Sequence, residues 1–301
     1  MSYPVKLKKG DTVGLLASCS HQPYNQRHFV KNAVSFLESW GLKVELQPEF
    51  DQKYFYLAGP DKQRSKYFQA FYSDTKIKAI FFTMGGYGAS RLFQYLNDDL
   101  ISQHQKIIVG LSDVTSLLLY IHKICGGIVY YGPNLATNKF LESQLRSKSQ
   151  ESLYNNLFKQ NYFPTYKVST IKPGYGKGYL TGGNLSLVVT TLGTPYEIET
   201  KGKVLFLEDV GEKPYRIDRM LTHLFNAGKF DKIQGLVFGD MVGCHGEDNL
   251  LWKVIEDIFK DASFPVVHNF PSGHADFCVT IPFGTDVELE TNSKELRFVP
   301  N

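Results

Sequence analysis

The chain has no dense run of lysine and arginine: 33 basic residues stand against 30 acidic ones, for a net charge of +3. That balance removes the electrostatic footprint of a protein built to hold nucleic acid. Apolar runs long enough to span a bilayer are also missing, so no membrane partner is expected. The opening MSYPVKLKKGD lacks the apolar core of a signal peptide, and a cytoplasmic location is expected. Cysteine is sparse. Cys19, Cys125, Cys244 and Cys278 are scattered without a CxxC pair, which argues against a disulfide framework and against a structural zinc site. The dinucleotide fingerprint GxGxxG is absent, so no nucleotide cofactor is expected, and no metal. What remains is ordinary globular material, 43% hydrophobic and 21% charged over 301 residues, enough for two modest domains. Aromatics are plentiful, with 22 Phe and 18 Tyr, which fits thick cores or an aromatic-lined groove.

Strand and helix patterns alternate through the first half. Thr12 to Ala17 reads as a buried strand followed by Ser18-Cys19-Ser20, and Asn25 to Trp40 has helical spacing stopped by Gly41. Lys43 to Leu46 is a short strand and Asp61 to Tyr72 a helix. Ile77 to Thr83 is a strand ending in Met84-Gly85-Gly86-Tyr87-Gly88, with a helix expected over Ala89 to Leu96. Ile128 to Tyr131 is a further strand closed by Gly132-Pro133. Such alternation predicts an α/β fold with a mostly parallel sheet and helices on both faces. After Pro133 the pattern loosens, with a polar helix over Leu141 to Lys159 and Pro and Gly breakers to Gly178. A first domain over 1–140, a connection over 141–170 and a second domain over 171–301 are expected. In the second domain Lys177 to Leu180 leads to Thr181-Gly182-Gly183-Asn184. Val204 to Leu207 ends in Glu208-Asp209, and Pro214 to Ala227 is a strongly periodic helix.

The stretch Lys106 to Ile124, KIIVGLSDVTSLLLYIHKI, is the most suggestive of chemistry. A buried strand runs into Gly110-Leu111-Ser112-Asp113 and at once into an apolar helix. Ser112 thus sits at the carboxyl end of a parallel strand, where open α/β sheets place their ligands, beside the free N–H groups of a helix start. A nucleophile is one reading. A helix cap supplied by Ser112 or Asp113 is the other, and the stretch alone leaves both open. A nucleophilic serine needs a base and an orienting acid. His274, in Ser272-Gly273-His274-Ala275-Asp276, is the best placed of eight histidines, though an exposed loop histidine fits the same pattern. Glu208 ends an apolar strand and either orients an imidazole or, with Asp209, caps a turn. His122 falls on the helix after Ser112, and His245 sits in a loop whose spacing matches no metal motif. Val114 stands where G-x-S-x-G would need its second glycine, so an ordinary α/β-hydrolase is disfavoured. The glycines at 85, 86 and 88 either bring backbone N–H groups to an anion or make a tight turn.

Five blocks occur in order: GGYGASRLF at 85–93, VGLSDVTSLL at 109–118, LTGGNLSLV at 180–188, FLEDVGEKPYRIDRML at 206–221, and the Gly273-His274 loop with IPFG. Together they resemble the LD-carboxypeptidase family of serine peptidases, which includes the microcin C self-immunity hydrolases. The resemblance covers nearly the whole chain. It implies an N-terminal flavodoxin-like or Rossmann-like parallel-sheet domain and a smaller β-rich α/β C-terminal domain, with the active site in the cleft between them, often in a homodimer. It also implies a triad of Ser112 as nucleophile, His274 as general base and acid, and Glu208 as orienting carboxylate. The backbone N–H groups of Gly86 and Asp113 would form the oxyanion hole, and no cofactor is needed.

Two positions depart from the family pattern. Many members have Arg before the GGYG turn, where this chain has Met84, and many have His before Gly-Pro, where it has Tyr131. With Gly85 these are the candidate substrate contacts. The resemblance implies release of terminal D-alanine from murein tetrapeptides in peptidoglycan recycling. Hydrolysis of microcin C-type peptidyl or aminoacyl nucleotides is the alternative, for which neither Trp40 nor Trp252 is placed as an adenine clamp. A silent muropeptide-binding protein is a third reading. Arg216, Asp218 and Arg219 read as a surface ion-pair cluster on their helix.

Overall fold

Thr12–Leu16 (β1), Lys43–Leu46 (β2), Ile77–Phe82 (β3), Ile107–Gly110 (β4) and Val129–Tyr131 (β5) are short runs, mostly of branched and aromatic residues. They pair in parallel in the order β5-β4-β3-β1-β2. The computed structural model describes residues 5–300 and divides into two units. The first runs to Gln160 and takes in Val279–Ile281; the second holds Asn161–Cys278 and the chain from Pro282 on. Every residue of β4 and β5 is buried, as expected for strands covered on both faces. The helix Arg27–Ser39 covers one side by burying Phe29, Val30, Ala33 and Leu37, one stripe at helical spacing. The helix Val114–Cys125 buries every residue from Val114 to Ile121 and ends on Gly126 at φ +62°. The strand order is that of a flavodoxin-like doubly wound sheet, whose switch point lies between β1 and β3.

Residues 141–160 fold with this unit. The helix Arg146–Phe158 places Leu153 and Leu157 in the core with Phe29, Leu37 and Phe140. The single helix expected over Leu141 to Lys159 is instead two, Asn138–Leu141 and Arg146–Phe158. Between them the Ser143 hydroxyl accepts the Leu145 N–H (3.2 Å), a local turn that competes with the helix. The helix expected over Ala89 to Leu96 is a 3₁₀ segment, Ser90–Tyr95, followed by a short helix at Asp98–Gln103 capped by Asn97.

In the second unit Thr165–Lys167 (β6), Ser169–Lys172 (β7), Tyr175–Asn184 (β8), Lys203–Val210 (β9), Gly235–Val242 (β10), Val266–His268 (β11), Asp286–Glu290 (β13) and Glu295–Phe298 (β14) form one mixed sheet. Its order is β6-β14-β13-β8-β9-β10-β11-β7. The remaining strand, Ile281–Phe283 (β12), lies at the edge of the first sheet beside β5. Strands β8 to β11 are parallel and the outer pairs antiparallel. Thr181-Gly182-Gly183-Asn184, read as following a strand, belongs to β8 itself. A Cβ on Gly182, at φ +136°, would run into the Phe206 carbonyl, so only glycine lets β8 approach β9 there. Glu208 therefore lies in the middle of the sheet, in register with Asn184.

Candidate active site

The turn after β4 depends on close approach. A Cβ on Gly110 would collide with the Val114 side chain, so glycine allows the helix to start four residues after the strand. Asn134 braces the turn from the side: its Oδ1 accepts the Leu111 N–H (3.3 Å) and its Nδ2 donates to the Leu111 carbonyl (3.1 Å). Ser112 is half-buried and adopts φ +65°. It is one of nine non-glycine residues with positive φ among the described residues, so strain alone does not mark it; its place at a strand-to-helix turn does. The helix opens without a side-chain cap from Asp113. The Asp113 carboxylate instead accepts the Ala89 N–H at 2.7 Å, which removes Asp113 as the expected cap.

The glycine loop lies against the serine. A Cβ on Gly85 would stand 3.0 Å from Ser112 Cβ and 3.2 Å from its Oγ. Gly86 is exposed at φ +99°, and a Cβ there would run into the Ser20 hydroxyl. The Ser20 N–H donates to the Gly85 carbonyl (3.2 Å), and the Ser20 Oγ accepts the Tyr87 N–H (3.1 Å). Arg64, whose side chain is fully buried, donates to the carbonyls of Gly88 (2.9 Å), Gly59 (3.0 Å) and Ser18, and pairs with Asp61. Asp61 also takes a bidentate pair from Arg91, Nε to Oδ1 and Nη2 to Oδ2. The carboxyl ends of β1 and β3 are thus tied together at the switch point. Within the first unit Ser112, Asp113, Gly85 and Gly86 form one cluster.

The second unit brings Glu208 and His274 together, 66 positions apart in sequence. The His274 Nδ1 lies 2.7 Å from Glu208 Oε2, with Glu208 fully buried and the imidazole 16% exposed. Asn184 Nδ2 donates to the other oxygen, Oε1 (3.1 Å), and to Asp209 Oδ1 (3.3 Å). A carboxylate receiving these donors turns Nδ1–H toward itself and leaves Nε2 as the imidazole's acceptor. Gly273, at φ +139°, makes the approach feasible: a Cβ there would stand 2.6 Å from Glu208 Oε2. Asp240 holds the loop on both sides. Its N–H donates to the Ser272 carbonyl (2.9 Å) and its Oδ2 accepts the Ala275 N–H (3.3 Å). Asp209 has a different task, accepting the Ser186 N–H (2.9 Å) and hydroxyl (2.7 Å) at the start of the helix Leu185–Thr190. Burial pushes its carboxyl above the usual carboxylate range, against the pull of the Ser186 hydroxyl.

The other residues singled out by sequence lie elsewhere in the two units or at the edges of these clusters. Tyr131 is fully buried and Met84 half-buried. His122 faces the Gly127 carbonyl (2.7 Å) at its helix end. The His245 ring lies 6.2 Å from Trp252. Arg216 pairs with Glu212, Asp218 accepts from Thr222, and Arg219 lies over the Tyr215 ring, so the three expected to pair with one another use other partners. Burial raises the thiols of Cys19 and Cys278, the latter to about 12, which makes poor nucleophiles of both. Among the described residues no three His, Cys, Asp or Glu side chains cluster as a metal site would, and no helix is long and apolar enough to cross a membrane. Sequence reasoning gave no role to Ser20, Arg64, Asn134, Asn184 or Asp240. Of these, only Asn184 carried a signal, inside the LTGGN block.

Comparison with known proteins bears on the same segments. Residues 13–132 match the family described as the LD-carboxypeptidase N-terminal domain, and residues 177–289 the LD-carboxypeptidase C-terminal domain. A Bacillus subtilis protein named a probable murein peptide carboxypeptidase is 36% identical, over 97% of this chain and 92% of that one. The crystal structure of a muramoyltetrapeptide carboxypeptidase from Oxalobacter formigenes superposes with a TM-score of 0.85 at 24% identity, covering 95% of this chain and 97% of that one. The microcin C7 self-immunity protein MccF, in complex with aspartyl sulfamoyl adenosine, superposes with a TM-score of 0.91 at 25% identity, covering all of this chain and 99% of the other.

Proposed function

The chain belongs to the LD-carboxypeptidase family, a family of serine carboxypeptidase-type hydrolases, and from that premise we propose that it releases terminal D-alanine from murein tetrapeptides. The observation that carries the reading is the buried Glu208–His274 contact, an orienting carboxylate and a base at hydrogen-bond distance. Ser112 is the nucleophile that this pair serves. His274 Nε2 takes the Ser112 hydroxyl proton as Oγ bonds to the carbonyl carbon of the residue before D-alanine. The N–H groups of Gly86 and Asp113 receive the oxyanion, each such donor supplying roughly 3 to 4 kcal/mol of barrier lowering. The carbon–nitrogen bond then breaks, and the D-alanine amine leaves with the proton from His274. Water gives His274 a proton, attacks the acyl-enzyme and frees the tripeptide acid, and Ser112 regains its hydrogen. Glu208 fixes the tautomer and stabilises the imidazolium throughout.

A second reading, cleavage of aminoacyl or peptidyl nucleotide amides, is favoured by the likeness to MccF bound to aspartyl sulfamoyl adenosine. The 36% identity to a named murein peptide carboxypeptidase weighs toward the first. Incubating the chain separately with a murein tetrapeptide and with an aminoacyl sulfamoyl nucleotide, followed by mass spectrometry, separates them. D-alanine release with the nucleotide intact supports the murein reading. Nucleotide cleavage with the tetrapeptide intact overturns it, and tetrapeptide binding with neither product returns the silent binding protein.

A further inference from the structure

The loop that carries Gly86 has little to hold it but its ties to neighbours. Gly86 and Gly88 flank Tyr87 with φ of +99° and +125°, conformations from which a short glycine segment departs at low cost. Four hydrogen bonds fix it: Ser20 N–H to the Gly85 carbonyl, Tyr87 N–H to Ser20 Oγ, Arg64 to the Gly88 carbonyl, and Ala89 N–H to the Asp113 carboxylate. None of these four takes the Gly86 N–H. The pattern leaves that donor unspent while engaging the amide after it and the carbonyls on either side.

Asp113 stands out among the four. A carboxylate with no exposed surface is expensive unless it meets donors, and burial pushes this one above its usual range against the pull of the Ala89 amide. It is not spent on capping its own helix. It reaches across to the end of the glycine loop instead, from the residue directly after Ser112.

We propose that the side chains of Asp113 and Ser20 are positioning residues that fix the Gly86 N–H relative to the Asp113 N–H, so that one residue both donates to the oxyanion and sets the place of the second donor. The inference rests on the reading of Gly86 and Asp113 as the oxyanion hole. A loosened loop leaves substrate binding nearly intact and weakens only the contact that strengthens in the transition state, so the loss falls on kcat and not on KM.

The test is steady-state D-alanine release by wild type, Asp113→Ala, Asp113→Asn and Ser20→Ala, each first shown to be folded by its thermal transition. Asp113→Ala is expected to lower kcat about 100-fold with KM changed less than about twofold. Asp113→Asn keeps an oxygen that accepts the Ala89 N–H and is expected to recover about 10-fold of that loss. Ser20→Ala, which removes only the tie to Tyr87, is expected to cost kcat about 10-fold and supplies the answer if Asp113→Ala does not fold. An active wild type with kcat unchanged in Ser20→Ala, or with Asp113→Asn as poor as a folded Asp113→Ala, overturns the proposal. A wild type that releases no D-alanine overturns the reading beneath it instead.

Discussion

Glu208 is buried with the Asn184 amide and the His274 imidazole aimed at it, and in the proposed mechanism its charge stabilises the imidazole when it takes a proton. Glu208→Gln keeps the shape and removes the charge. It is expected to lower kcat by roughly 1,000-fold or more with KM little changed, read by D-alanine release; a loss under about 10-fold would contradict the orienting role. Asp61 gives a prediction for stability. Burial raises its carboxyl, but the Arg91 and Arg64 guanidinium groups outweigh burial and hold it below its ordinary value of 3.8. A folded-state value below the unfolded one contributes stability that is present above the unfolded value and is lost as pH falls through the folded one. Asp61→Asn should therefore melt at a lower temperature than wild type at pH 7, and the two curves should converge below about pH 4. A gap that stays constant to pH 3 would contradict this. Little at this scale was legible from residues alone. Ser112, Glu208 and His274 each had a bland reading at least as good as the chemical one, and the family resemblance singled them out. Arg64 lies in DKQRSKYF, within the stretch expected as a helix, with nothing there to mark it as buried. Its burial follows from two strand ends and a glycine loop meeting over it, which no local pattern encodes.

Strand β9 carries the second unit. It places Glu208 beside Asn184 of β8 and keeps the spacing that Gly182 permits. Gly182→Ala forces either the strained φ of +136° or a collision with the Phe206 carbonyl. It should destabilise the protein by about 3 kcal/mol, seen as a lower urea midpoint; an unchanged midpoint would show that β8 and β9 adjust freely. Central elements were the most readable. The buried runs at 12–16, 77–82 and 107–110 and the periodic helices at 27–39 and 214–226 stand out because packing and periodicity agree there. The outer strands at 165–172 and 286–298 are short and half-exposed, and the pairings of β13 with β8 and of β14 with β6 join residues more than 100 positions apart. Thr181-Gly182-Gly183-Asn184 reads as following a strand, because a glycine pair weakens a strand interior. Close approach of two backbones is the pair's less common use.

At the scale of the whole molecule, two α/β units of different sheet design carry different parts of the proposed chemistry: a nucleophile turn with its amide donors, and a base with its carboxylate. Each unit holds its part with bonds of its own, Asn134, Ser20 and Arg64 in the first, Asn184 and Asp240 in the second. The alternation of strand and helix made the first unit's class readable, while the second unit's mixed sheet became legible through the ordered family blocks. The central claim is that Ser112 is the nucleophile of a carboxypeptidase acting on murein tetrapeptides. D-alanine release from purified tetrapeptide, measured by mass spectrometry for wild type and Ser112→Ala side by side, tests it most directly. The account predicts release by wild type and none above the uncatalysed background by a folded Ser112→Ala. Equal release by both, or none by either, would contradict it.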